Sequence, residues 1–596
     1  MTESAESAPH DIEKIFRAIQ PITDPKAHYP GFQAGAVERI AKGSVRYRGH
    51  RPVPSDMIWQ RDVAVPMRDG TILCTDVFRP ADQDGPLPVI TAWSPYGKLS
   101  GSQSVEQIPA RSGIPRSATT GWESFEAPDP GYWCDAGYVV LTPDIRGVFK
   151  SGGDYLFWGE QPARDGYDFV EWAAEQEWSN GRFAFTGNSQ LSILQWFIAA
   201  ERPPHLTAIA PWEALIDMYR NDVCIGGIPD TAFNESIIAE TYGQGRIEDV
   251  PAMLERYPLF NEYWAEKIAA VENIDVPAYV VGSWTNPVHS RGTLQAWQRL
   301  RTEERWLRVH NTMEWPDYYS SESVADLRRF FDHYLKGVDN GWEATPRVRL
   351  SVLDPGGQDT VNRAYGEFPL PQAQYRALYL DGTTGSLVES LPEEESTVRY
   401  ASDDGSSVAS LTYRFDHDAE IIGHVSMRLW VEVEGHDDAD IHVWVRKLDA
   451  EGNPLSHVVI PLPDPAKKAF LAAAELKPVS RRMPASSRYN GPWGRQRASL
   501  RALDRELSAT GLPIHAMTHS EKLAPGQIVP VDISLWPTGL RFRRGEQLRL
   551  QIAGFNMRGP NLAGLPETDN QNHGTHIIHT GGQFDSHLLL PFTPGS

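Results

Sequence analysis

The sequence predicts two domains, an α/β unit followed by an all-β unit, and three observations carry that prediction. Between about residues 56 and 340, short near-continuous apolar runs alternate with segments of helical periodicity, the pattern of strands buried on both faces of a parallel sheet. Beyond Lys336-Gly337 the helical patterns stop, and short alternating strands separated by Gly, Pro and Asp take over, as in a β-sandwich. The 596 residues, 41% hydrophobic and 22% charged, suffice for two large cores.

Residues 1–55 are polar and mixed, and read as a helical leader that packs on or wraps the first domain. The α/β domain is expected over 56–340. Its first two strands meet at Asp69-Gly70, a strong hairpin signal, and the second runs from Ile72 to Phe78. Leu87 to Trp93 and Tyr138 to Leu141 follow as buried strands. A helix is expected from Asp165 to Glu175, with acids in its first turn. Phe183 to Phe185 is the next strand, and Leu191 to Ala200 the helix after it, stopped by Pro203 and Pro204. Leu206 to Ala210, Tyr279 to Val281 and Trp306 to Val309 complete the strands. Residues 217–270 are helix-rich without an evident strand and sit where a cap would. The all-β domain, 341–596, includes strands at Arg347 to Val352, His424 to Val433, Ile441 to Val445, Leu548 to Ile552 and Ser586 to Pro591.

Acidic residues number 78 and basic residues 56, for a net charge of −22. Such a chain repels phosphate backbones and anionic lipid, so neither nucleic acid nor a membrane surface is an expected partner. No stretch nears the roughly 18 consecutive apolar residues of a membrane span. The first residues, MTESAESAPHDIEKIF, lack the basic and apolar regions of a secretory signal. Cys74, Cys134 and Cys224 are odd in number and lack metal-ligand spacing, which argues against a disulfide framework. A cytoplasmic protein is expected, and a homodimer is compatible with all of this.

The strongest chemical signal is Phe183-Ala184-Phe185-Thr186-Gly187-Asn188-Ser189-Gln190-Leu191-Ser192: an apolar strand, Gly-x-Ser, then a helix. A serine on a tight strand-to-helix turn presents its hydroxyl above the sheet. The helix N-terminus beneath favours developing negative charge, which the Gln190 N–H can meet. The second glycine usual in such elbows is missing, with Leu191 and Ser192 in its place.

Several segments resemble the CocE/NonD hydrolases, the group that includes cocaine esterase, α-amino-acid ester hydrolases and serine X-Pro dipeptidyl-peptidases. They are Met67-Arg68-Asp69-Gly70, Ser94-Pro95-Tyr96-Gly97, Asp144-Ile145-Arg146-Gly147, Asp168-Phe169-Val170-Glu171-Trp172 and Trp178-Ser179-Asn180-Gly181, which leads into Gly187-Asn188-Ser189. Phe330-Phe331-Asp332-His333-Tyr334-Leu335-Lys336-Gly337 and the closing Ser586-His587-Leu588-Leu589-Leu590-Pro591 extend the likeness over about residues 56–592. The resemblance implies an α/β-hydrolase domain with a helical cap insertion, plus a C-terminal all-β jelly-roll domain. It also implies Ser189 as nucleophile and the Tyr96 hydroxyl as an oxyanion donor beside the Gln190 N–H.

At the other two catalytic positions the chain departs from the family. The family's acid lies in a Trp-x-Asp segment, which here reads Trp284-Thr285-Asn286, and an amide cannot neutralise an imidazolium. Glu314 falls in the slot usual for the histidine. His310, at a strand's C-terminal end, is the first choice of base, oriented by Asn286 or by a carboxylate such as Asp317 or Glu314. His289, directly after the acid loop, is the second choice and Glu314 the third.

Other clusters read blandly. His573, His576 and His579 lie three apart, a spacing that alternates faces in a strand, and His436-Asp437-Asp438-Ala439-Asp440 lacks a full calcium loop. The basic run from Ser480 to Arg501 reads as a solvated loop between domains. No phosphate-cradling loop or HExxH helix occurs, so neither metal nor cofactor is expected. The resemblance then implies a serine hydrolase cleaving a small-molecule carboxylic ester, or an amide, through an acyl-enzyme on Ser189. An ester is favoured because no constellation for a free peptide amine is evident. Two alternatives stand beside it: a repurposed fold doing non-hydrolytic or C–C bond chemistry, and a catalytically dead member that binds a ligand.

Overall fold

The computed structural model describes residues 12–593 apart from 83–84, 100, 102, 464, 468, 470–486 and 559–569. The expected run Ser480 to Arg501 therefore lies partly outside the described residues.

The apolar runs assemble into one eleven-stranded sheet. In chain order its strands are β1 (Val37–Ile40), β2 (Met57–Pro66), β3 (Ile72–Pro80), β4 (Leu87–Thr91), β5 (Val139–Asp144) and β6 (Ser179–Asn188). β7 (Leu206–Trp212), β8 (Ala278–Ser283), β9 (Arg305–His310), β10 (Val348–Val352) and β11 (Thr360–Tyr365) follow. The spatial order is β1-β2-β3-β5-β4-β6-β7-β8-β9-β10-β11. From β5 to β10 neighbours pair in parallel, and antiparallel strands close both ends. The parallel strands are almost wholly buried, which is why they read as continuous apolar runs. The sheet extends past residue 340, because the segment around Arg347 to Val352 pairs with β9 rather than joining the second domain.

Between and after these strands run the α-helices α1 (Pro130–Asp135), α2 (Glu160–Ala174), α3 (Gln190–Ala200), α4 (Ala232–Ala239), α5 (Val250–Arg256), α6 (Glu262–Glu266), α7 (Ser290–Arg299), α8 (Glu314–Tyr318) and α9 (Ser321–Lys336). Helices α2 and α3 touch closely at Gly166, where a Cβ would sit 2.3 Å from Ile198 Cδ1. The 217–270 region contributes α4 to α6, as expected for a helix-rich insertion. It also holds two short strands, Tyr242–Gly243 and Arg246–Glu248, which pair with Gln20–Pro21 and Phe16–Ala18. Over its described residues the leader therefore holds no α-helix, only a single 3-10 turn at Pro25–Ala27: it wraps the domain mainly as extended chain, and β1 extends the sheet edge.

The second domain is not two open sheets. Its strands are β12 (Gln374–Asp381), β13 (Ser386–Val388), β14 (Ser396–Ala401), β15 (Val408–Arg414), β16 (Ala419–Glu434), β17 (Asp440–Leu448), β18 (Trp493–Arg497), β19 (Val529–Phe542), β20 (Gln547–Ala553), β21 (Thr575–Thr580) and β22 (His587–Phe592). Pairing runs β16-β19-β18-β17-β20-β15-β13-β12-β22 and returns to β16, a closed nine-strand ring to which β21 and β14 are appended. Closure rests on the 16 residues of β16, which pair with β19, β21 and β22. At Gly423, with φ 141°, the β16–β19 register shifts, as at a bulge that bends a strand around a barrel.

Candidate active site

Ser189 joins β6 to α3 with φ 55° and ψ −124°, a conformation that costs a non-glycine residue roughly 1–3 kcal/mol. The surrounding packing enforces it. A Cβ at Gly187 would lie 2.9 Å from Leu191 Cβ and 3.3 Å from Glu126 O, so the turn needs that glycine. Leu191 stands at the position of the missing second glycine, and Ser192 beside it knits the turn. Its hydroxyl donates to Gly187 O and accepts from Trp212 N at 2.9 Å, tying the ends of β6 and β7. Gln190 opens α3, so its N–H has no intrahelical acceptor.

The imidazole beside Ser189 is that of His289. Its Nε2 lies 3.0 Å from Ser189 Oγ. His289 is 4% exposed and stands at the N-terminus of α7. Burial lowers its pKa to about 3, so the ring is neutral and free to accept a proton. Its Nδ1 is buried without a hydrogen-bond partner. The carboxylate that approaches comes from Glu314, whose Oε2 is 3.8 Å from His289 Nε2. Asn286 does not touch the ring. Its Oδ1 accepts from the backbone of Val288 at 2.9 Å and His289 at 3.0 Å, shaping the turn into α7, and its Nδ2 donates to Glu314 Oε2 at 3.1 Å.

His310, the first choice from sequence, lies elsewhere. Its Nε2 is 2.7 Å from Glu213 Oε1 and 3.6 Å from Asp317, and its Nδ1 accepts from Thr312 N at 3.3 Å. Asp317 in turn takes both Arg308 nitrogens, at 2.8 and 2.6 Å. His310 and Asp317 therefore belong to a buried ion-pair network behind the site. Glu213, just past β7 at φ 57°, claims the imidazole.

Tyr96, Ser189, Asn286, His289 and Glu314 line one cavity of about 700 Å³. Tyr96 is buried edge-on to Phe125, with ring centroids 5.3 Å apart. Burial and the neighbouring Glu126 hold its phenol well above the ordinary value, so it stays a donor. Glu126 has no motif around it in the sequence. It is 2% exposed at φ 63°, accepts from Trp315 Nε1 at 2.7 Å through Oε1, and leaves Oε2 without a partner. Burial raises its carboxyl to about 8. Burial, with Glu126 and Glu213 close by, also pushes Glu314 well above the carboxylate range. The β barrel reaches this site directly: Trp536 Nε1 on β19 donates to Asn286 O at 2.9 Å, and Val459 and Ile460 join the cavity wall.

Among the described residues no cluster of His, Cys, Asp or Glu could hold a metal ion, and no helix is long and apolar enough to cross a membrane. His576 and His579 bond separately, to Tyr400 at 3.0 Å and Glu432 at 2.8 Å.

A strained serine at a strand-to-helix turn of a mostly parallel sheet, bonded to a neutral buried imidazole, defines a serine hydrolase of the α/β-hydrolase class. Residues 69–253 match the model of the X-Pro dipeptidyl-peptidase (S15 family), and residues 340–589 that of the X-Pro dipeptidyl-peptidase C-terminal non-catalytic domain. A CocE/NonD family hydrolase from Staphylococcus aureus superposes with a TM-score of 0.83 at 32% identity, over 97% of this chain and 99% of that one. The chain belongs to the CocE/NonD family of hydrolases. Cocaine esterase of Rhodococcus sp. (strain MB1 Bresler) is 24% identical over 620 residues, 89% of this chain and 98% of its own. An α-amino-acid ester hydrolase shares the fold at 15% identity, with a TM-score of 0.63 over 90% of this chain and 96% of its own.

Proposed function

We propose that the chain is a cofactor-free serine esterase whose base and carboxylate stand on exchanged loops, the carboxylate beside the base's Nε2 rather than on its Nδ1. The observation that carries the reading is the 3.0 Å contact between Ser189 Oγ and His289 Nε2. Ser189 attacks the ester carbonyl while His289 takes its proton. The carbon–oxygen bond to the leaving group breaks, and His289 protonates the departing alcohol. Water then cleaves the acyl-enzyme by the same route. The Tyr96 hydroxyl and the Gln190 N–H hold the oxyanion, each donor worth about 3–4 kcal/mol of barrier. The base comes from the loop after β8, where the family carries its acid. The carboxylate, Glu314, comes from the segment after β9, where the family carries its histidine. With Glu314 ionised, its charge offsets the imidazolium as it forms.

The cavity supports a neutral or amine-bearing substrate. Glu126, Glu240 and Glu314 line it, and no Lys or Arg does among the described residues. Phe125, Phe233 and Trp315 supply apolar wall, and α4 with the residues after it acts as the cap. A catalytically dead, ligand-binding role predicts no imidazole within reach of Ser189, and the observed bond speaks against it.

The test is intact-mass spectrometry after exposure to a fluorophosphonate. One adduct per chain is expected, absent in folded Ser189→Ala and strongly slowed in His289→Ala. Absence of labelling on the folded wild-type protein would overturn the assignment.

A further inference from the structure

A second cavity, of about 380 Å³, lies between α7 and the 506–514 segment of the second domain. At its base is Arg291, 5% exposed, with no hydrogen bond or ion pair to any described residue, and its buried Nε has no acceptor. An arginine this deep without a carboxylate is costly unless something supplies the negative charge.

The neighbouring groups point the same way. Arg291, Gln295 and Gln298 follow one another at i, i+4 and i+7, which puts them on one face of α7. Each glutamine has its carbonyl oxygen occupied from outside: Asn221 Nδ2 donates to Gln295 Oε1 at 3.0 Å, and His424 Nε2 donates to Gln298 Oε1 at 3.0 Å. That leaves both amide NH₂ groups, beside the guanidinium, as donors for the cavity. The nearby carboxylates are largely committed, Asp217 to Arg220 at 2.9 Å and Glu272 to Arg299 at 3.0 Å. Arg301 and Glu506 are exposed at the rim. The opposite wall is apolar, formed by Ile216, Leu512 and Ile514, with Leu507 standing 41% exposed at the mouth.

We infer that this cavity is a binding site for an organic carboxylate with an apolar body, its carboxylate held by Arg291, Gln295 and Gln298. A guanidinium fork matches a planar carboxylate in a two-point contact, and the apolar wall takes the remainder of the molecule. The catalytic cavity, which no Lys or Arg lines among the described residues, offers the same ligand no cation.

Isothermal titration with benzoate, and with benzamide as its neutral counterpart, tests the assignment. Benzoate is expected to bind one per chain and benzamide not to bind. Arg291→Gln should weaken benzoate about tenfold or more. Gln298→Glu, a change of the same shape to which His424 can still donate, should do likewise. Absence of benzoate binding to the wild-type protein, or affinity unchanged in folded Gln298→Glu, would overturn the site.

Discussion

Ser189 and His289 stand 100 residues apart in the chain and 3.0 Å apart in space, and the imidazole enters from the loop ahead of α7 rather than from the end of β9. On the proposed mechanism, proton transfer at the serine is tied to the turn that Asn286 shapes.

Replacing the nucleophile separates chemistry from strain. Ser189→Ala and Ser189→Gly should both lose turnover by about 10⁴-fold or more. The glycine variant should also be more stable than wild type by about 1 kcal/mol, because φ 55° no longer costs anything. Denaturant melts of the two variants check this, and a glycine variant no more stable than the alanine one would contradict the strain argument.

The two histidines should behave in opposite ways. His289→Ala is expected to remove about 10³-fold or more of kcat with little change in folding. His310→Ala is expected to destabilise by about 3–5 kcal/mol, since Glu213 would be left buried and unpaired, while the folded fraction keeps an intact Ser189–His289 pair. Activity per folded molecule, set against the melting curve, distinguishes the roles.

The pH profile should be governed by a carboxyl. His289 titrates near 3 and is neutral throughout the ordinary working range. Glu314, raised by burial and by Glu126 and Glu213, must lose its proton before it can offset the imidazolium. Turnover should therefore rise with pH along a limb above the usual carboxylate range, and that limb should vanish in Glu314→Gln. A limb that persists in the variant would assign it to another group.

Stability should run the other way. Glu126 has its folded-state value raised to about 8, against 4.5 for an exposed glutamate. Its contribution is full below the unfolded value and is lost as pH rises through the folded one, because the unfolded chain then binds fewer protons. The melting temperature should fall between pH 5 and 9, by less in Glu126→Gln, which keeps an acceptor for Trp315. Equal falls in both proteins would show that other groups set the slope.

Tyr96→Phe should cost about 10²–10³-fold in kcat with a much smaller effect on KM, as expected for a donor that acts on the oxyanion. Equal changes in the two constants would place the phenol in ground-state binding instead.

The strand-to-helix turn at Ser189 was legible because its motif is contiguous, whereas Tyr96 was singled out only through the resemblance of Ser94-Pro95-Tyr96-Gly97; the structure places both on one cavity. The choice between His289 and His310 was not legible. Counting along the chain gives distance from a strand end but not which carboxylate captures the ring, and Glu213 carries no local signal of that kind. Glu126 was invisible because its position depends on a left-handed backbone within a loop. Ring closure of the second domain was equally hidden, since the alternation of β16 looks the same in an open sheet and in a barrel.

The bond from Trp536 to Asn286 O has an evolutionary reading. The family's second domain is described as non-catalytic, yet here its tryptophan braces the turn that carries His289. The two halves are therefore poor modules for recombination. A chimera that grafts a foreign barrel onto this hydrolase sheet inherits the serine intact and an unbraced histidine. Loss of the Trp536 side chain is therefore expected to be felt at the serine of the neighbouring domain.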